Sequence, residues 1–336
     1  MIRVFLASVI CLFALAVPAF ADTRQVYTIS NVPVDESAPS VIEARQKAMA
    51  TARVVAARRL IKKLTLAEDR ATATGLQIDS EIANRLAAAV DVQEETAGAG
   101  RYRGTLAVVL NPRMVRAFLD DAKVPYVDTQ GPLGLMVPIA SNLALEDEWR
   151  IALGERNDSS LSPYVTANGL AYTADTDWSV LSVEASSQRA RRGVLAELKG
   201  RDGAWRVALS TVTAAGTEAV GTTSPQPTLE AAADAAATYM GEAWKRASIV
   251  RSGTRTRRQA NVRYTSLAEW NTLRGALVRS PLVSEFQINA IARDGAMITF
   301  SYAGEPPRLQ NDLLQRGVAL NEQAGAWVLT SAVSAN

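Results

Sequence analysis

Histidine is missing from this sequence, and cysteine occurs once, as Cys11. The first absence removes the Ser-His-Asp triad and the imidazole ligands of ordinary zinc and copper centres. The second leaves no disulfide framework, so stability has to come from packed apolar cores. Aromatic residues make up only 6% of the chain, few for the stacking platforms of glycan-cleaving enzymes. Three further signatures are absent: Gly-x-Ser-x-Gly, Ser-x-x-Lys and the Gly-x-x-x-x-Gly-Lys-Ser/Thr phosphate loop.

What is present begins with the features of an export signal. Residues 1–21 combine a positive start at Arg3, the apolar run "VFLASVICLFALAVPAF", and small residues at Ala19 and Ala21. This pattern predicts cleavage between Ala21 and Asp22. As a membrane anchor the run is short of the ~20 apolar residues a comfortable span needs, and Pro18 interrupts its end. No Gly or Ala stands just before Cys11, which argues against a lipid-modified cysteine. Cleavage would remove Cys11, and the mature chain is expected in the periplasm without thiols. Removal of Arg3 leaves 35 basic residues against 34 acidic ones. That balance argues against a general nucleic-acid binder. No later segment is apolar enough to span a bilayer, and no cofactor motif is found.

Three domains are expected. The first, residues 22–126, opens with the alternating strand "RQVYTISNVPVD". The helix "SVIEARQKAMATARVVAARRLIKKL" follows. Val41, Ala44, Ala48, Met49, Ala52, Val55, Ala56 and Leu60 share one broad face of it, rich enough in alanine to sit close to a sheet. A shorter helix capped by Asp79 or Ser80, a hairpin turning at Ala97–Gly100, and a helix with Pro112 in its first turn complete β-α-α-β-β-α.

The second domain, 131–248, has the strand "LGLMVPI", a helix capped by Asn142, and a three-strand meander turning at Asp202-Gly203 and near Gly216. Between 157 and 188 only weak helical signals occur. A long helix capped by Thr228 carries Leu229, Ala233, Ala236, Met240, Ala243 and Ala247 as its stripe. Residues 249–258, with "RSGTRTRR", read as an exposed basic linker. The third domain, 259–336, contains a capping box at Ser266–Glu269 ahead of Leu267, Trp270, Leu273 and Leu277. Its β-α-β-β-α-β order predicts a ferredoxin-like unit. The expected fold class is α+β, with three small two-layer sandwich domains in tandem.

Carboxylate chemistry survives the exclusions, since two acids suffice for glycoside hydrolysis. The close acids are Glu94 with Glu95, Asp120 with Asp121, Glu146 to Glu148, and Asp175 with Asp177. Each lies at a predicted helix end, turn or hairpin flank, where solvent is the natural neighbour. No catalytic, cofactor or metal residue is assigned. Among the basic clusters, Arg58, Arg59, Lys62 and Lys63 end the opening helix, and Arg189, Arg191 and Arg192 precede a strand. Arg255, Arg257 and Arg258 in the linker form a candidate patch for an anionic partner.

"VYTISNVPVD" before an Ala-rich helix, "LMVPIASNLALEDEWRIAL", "GVLAELKGRDGAWRVALS" and "NVRYTSLAEWNTLRGALVRSPLVSEFQI" occur in that order. In these features the mature chain resembles the uncharacterised exported proteobacterial family called domain of unknown function 2066. That family is similar in outline to envelope assembly proteins. Its first domain is similar to those of flagellar-ring and small outer-membrane lipoproteins, and its middle to the small α/β domain of curli-export and Tol-system proteins. The resemblance brings no catalytic residue. The expectation is a non-catalytic periplasmic binding or assembly protein with an envelope protein as partner. The alternative is a carboxylate-dependent hydrolase of envelope glycans.

Overall fold

The computed structural model describes residues 23–156, 160–168, 172–250, 255–323 and 325–332. Ala19, Ala21 and Asp22, the residues of the expected cleavage site, lie outside them. The architecture is α+β, built on three sheets.

In the first domain, α1 (Thr23–Val26) leads into β1 (Thr28–Ser37) and the long α2 (Val41–Leu64). Next come α3 (Ala67–Thr72), α4 (Ser80–Leu86), β2 (Ala87–Gly98), β3 (Arg101–Leu110) and α5 (Pro112–Asp121). The antiparallel sheet runs β1-β3-β2. Ala44, Ala48, Ala52 and Ala56 of α2 are fully buried beneath it. Methyl-sized side chains at four-residue spacing let the helix axis approach the sheet closely. Met49 and Val55 pack only partly, so the contact line is narrower than the apolar face. Asp79, rather than Ser80, caps α4, accepting from the Ile82 amide.

The middle domain contains β4 (Gly134–Ile139), α6 (Leu143–Leu153), β5 (Tyr164–Thr166) and α7 (Trp178–Ser187). It continues with β6 (Arg192–Lys199), β7 (Arg206–Thr213), β8 (Gly216–Thr222) and α8 (Leu229–Ser248). The sheet order is β5-β4-β6-β7-β8, with β4 parallel to both neighbours and β6-β7-β8 the antiparallel meander. Two layers were expected, but this sheet has helices on both faces. Met136, Val194 and Ala196 meet α6 and α8 on one side, and Leu135, Val137 and Leu195 meet α7 on the other. Parallel pairing requires a strand apolar on both sides, and every residue of β4 is buried. α7 sits so close that a Cβ on Gly193 would lie 2.6 Å from Leu181 Cδ1.

The third domain comprises β9 (Arg255–Arg263), α9 (Leu267–Val278), β10 (Val283–Ile291), β11 (Gly295–Ala303), α10 (Pro306–Gln315), β12 (Val318–Gln323) and β13 (Ala326–Ser331). Its order, β10-β11-β9-β13-β12, is compatible with a ferredoxin-like βαββα core. A closing hairpin then takes the place of the last strand, and β13 runs parallel to β9. The expected linker divides here. Residues 251–254 lie outside the described set, whereas Arg255 already begins β9 and pairs with Ala303. Basic, polar composition concealed a strand whose outer face meets water.

Candidate functional site

The three domains converge on the last turns of α8. The expected stripe predicts Ala243 and Ala247 inside, but Trp244, Lys245 and Ser248 are the buried residues there and Ala247 is exposed. Trp244 Nε1 donates to the Thr129 carbonyl at 2.9 Å. Lys245 Nζ reaches the carbonyls of Thr65 at 2.8 Å and Lys62 at 3.2 Å, and pairs with Glu242 at 2.6 Å. These carbonyls lie at the end of α2, where a cation meets the negative end of the helix dipole, and Arg70 Nη1 donates to the same two, at 2.7 Å to Thr65 and 3.4 Å to Lys62. Burial pushes the Lys245 amine down, and the Glu242 carboxylate opposes that shift. From the third domain, Arg308 Nε donates to the Ala247 carbonyl at 2.9 Å.

Two clefts flank this junction. One of about 570 Å³ lies between α2 and α8 and includes Arg59, Lys63, Arg156 and Glu242 in its wall. The other, about 1100 Å³, lies between α8 with β7 and β8 on one side and α10 on the other. Arg192 borders this larger cleft. It is 6% exposed, gives one N–H to Ser162 Oγ at 2.7 Å, and among the described residues has no hydrogen-bond partner at Nε. Burial first, and the like charge of Arg316 second, lower its guanidinium to about 10. Arg316 stands 5.6 Å from the Trp244 ring centroid, and both its bonds to Asp312 are 3.1 Å long. Arg279 is also pushed down, by burial and then by Arg316.

The acidic candidates occupy other places. Asp177 caps α7 through the Val180 amide at 3.3 Å, and Asp175 is exposed. Asp147 pairs with Arg150 at 2.5 Å; Glu146 is buried and Glu148 exposed. Glu95 accepts from Tyr102 at 2.8 Å, and Asp120 and Asp121 are exposed. Among the described residues, no group of three or more acidic, histidine or cysteine residues could hold a metal ion. No described helix is long and apolar enough to cross a membrane.

The basic clusters separate in the same way. Arg58 donates to the Ile78 carbonyl at 2.9 Å, Arg59 to Asn31 at 3.1 Å and Lys63 to Val26 at 2.7 Å. They hold backbone of their own domain. Arg255 and Arg257 project from one face of β9 toward Ser284 Oγ at 2.5 Å and Gln287 Oε1 at 3.1 Å. Arg258, one residue on, projects from the opposite face, because side chains alternate along a strand. The candidate patch of three arginines is therefore two residues on one face and one on the other. Sequence reasoning passed over Arg192: "RARR" reads as solvated charge, and only the sheet shows that its last member turns inward. Comparison with known protein families and with curated proteins finds no match for this chain.

Proposed function

We propose that this chain is a non-catalytic binding or assembly protein of the cell envelope, working in the periplasm with a protein partner. The sequence features that support export are the Arg3 start, the apolar run and the Ala19–Ala21 site. The resemblance to domain of unknown function 2066, in the quoted segments, points the same way. The observation that carries the reading is β2. It is one of the two edge strands of its sheet, 12 residues long, with residues 91–98 all exposed. An uncovered edge of that length offers backbone N–H and C=O groups to an added strand. The rival, a glycan hydrolase, needs two acids facing one cleft, one of them kept protonated. Of the acids named above, Asp177 caps a helix, Asp147 pairs with Arg150, Glu95 accepts from Tyr102, Glu146 is buried in α6 and the others face solvent; none of them lines either cleft.

A photo-crosslinker placed at Thr96 on β2, in growing cells, should capture one defined envelope protein. The same group at Leu143, on the exposed side of α6, should not. Purified protein should release nothing from peptidoglycan or envelope polysaccharide across about pH 4–8, the range where carboxylate pairs work. Turnover that disappears in Asp175→Asn or Glu148→Gln would establish the hydrolase instead.

A further inference from the structure

We propose that the cleft between the middle and third domains binds a singly charged organic oxyanion, a carboxylate or phosphodiester bearing an apolar group, on the guanidinium of Arg192. This rests on the binding reading above and adds the chemistry of a ligand. Arg192 is more than nine-tenths buried, yet no described carboxylate pairs with it. Among the described residues its partners end at one serine hydroxyl, and its Nε has none. A guanidinium removed from water is costly unless an opposite charge and further acceptors meet it. The charged group acting on it is Arg316, of the same sign, and Arg316 already engages both oxygens of Asp312.

The walls of the cleft set the ligand's charge and shape. With Asp312 committed to Arg316, the lining cations are Arg192, Arg246 and Arg308, and the lining acids are Glu218 and Glu305. One positive charge is left in excess, which suits a monoanion better than a phosphate monoester. Met240, Trp244 and Leu282 supply apolar wall beside it. A planar guanidinium edge next to an apolar surface is the usual chemistry for an amphiphilic oxyanion.

The test uses octanoate as probe, titrated calorimetrically into the full mature protein. Binding should be detectable in the millimolar range or tighter, and roughly tenfold or more weaker in both Arg192→Lys and Arg192→Met. The lysine variant keeps the charge but not the two-pronged edge, and it serves should the methionine variant not fold. Arg255→Gln, on a different sheet face, should bind as the parent does. Vesicles of phosphatidylglycerol separate two sources of the same chemistry. Arg192-dependent co-sedimentation assigns a lipid headgroup; octanoate binding without co-sedimentation assigns a free amphiphile. Absence of binding to both probes, or binding that both variants keep, overturns the proposal. The partner captured at Thr96 is an independent readout, so it can persist when this inference fails.

Discussion

Lys245 on α8 donates to the carbonyl of Thr65 at 2.8 Å, across 180 residues of sequence. A buried ammonium thereby closes the end of a helix in another domain. Lys245→Met should lower stability by roughly 1.5–3 kcal/mol, the range for hydrogen bonds to a charged group. Urea unfolding followed by far-ultraviolet circular dichroism checks it. A midpoint equal to the parent's would mean the first and middle domains do not lean on this contact.

Ser266 Oγ accepts from the Glu269 amide at 3.2 Å, and Glu269 accepts from the Thr265 amide at 2.8 Å. The serine half of the expected capping box is in place, whereas the glutamate accepts from the amide and hydroxyl of Thr265, one residue before the cap. Ser266→Ala should cost about 0.5–2 kcal/mol. Trp270, 4% exposed beneath it, should cost about 3–5 kcal/mol when replaced by alanine. Melting of the two variants side by side decides the order; similar small losses would contradict a buried ring.

Gly104 in β3 lies against β2 where the ladder shifts register, and a Cβ there would stand 2.5 Å from the Glu94 carbonyl oxygen. The obstacle is backbone, so Gly104→Ala must displace the edge strand. Its cost should be about 1–3 kcal/mol, as for other overpacked sites, and hydrogen exchange along β2 should quicken. Unchanged protection at residues 91–98 would show that the strand accommodates the methyl group.

The Lys63 amine, half-buried at the end of α2, is pushed down by burial to about 8 from its ordinary 10.5. Below the folded value both states hold the proton, and the burial cost is fully present. Between the two values the unfolded chain holds more protons, so this residue's contribution to stability rises with pH. Lys63→Met should flatten that rise between about pH 8 and about 10. Urea midpoints at three pH values for parent and variant measure it; parallel curves would rule the effect out.

Local rules made much of the fold legible. Asn142, Thr228 and Ser266 cap the helices expected of them, because a side-chain oxygen near the first amides of a helix needs no tertiary partner. The alanine line of α2 and the turns at Gly203 and Gly216 follow from spacing and from positive φ of 83° and 126°. Tertiary structure alone decided the remainder. β13 pairs in parallel with β9, a long-range choice that strand alternation does not encode. α7 covers a face of the middle sheet because β4 is apolar on both sides and cannot be left wet. Arg192, Lys245 and Arg255 carry the same kind of charge in sequence. One lies beside a cleft with no carboxylate among the described residues paired to it, one caps another domain's helix, and one stands on an open sheet face. Charge fixes what each can bind, whereas burial and the carbonyls or acids brought beside it by the fold decide what it does bind.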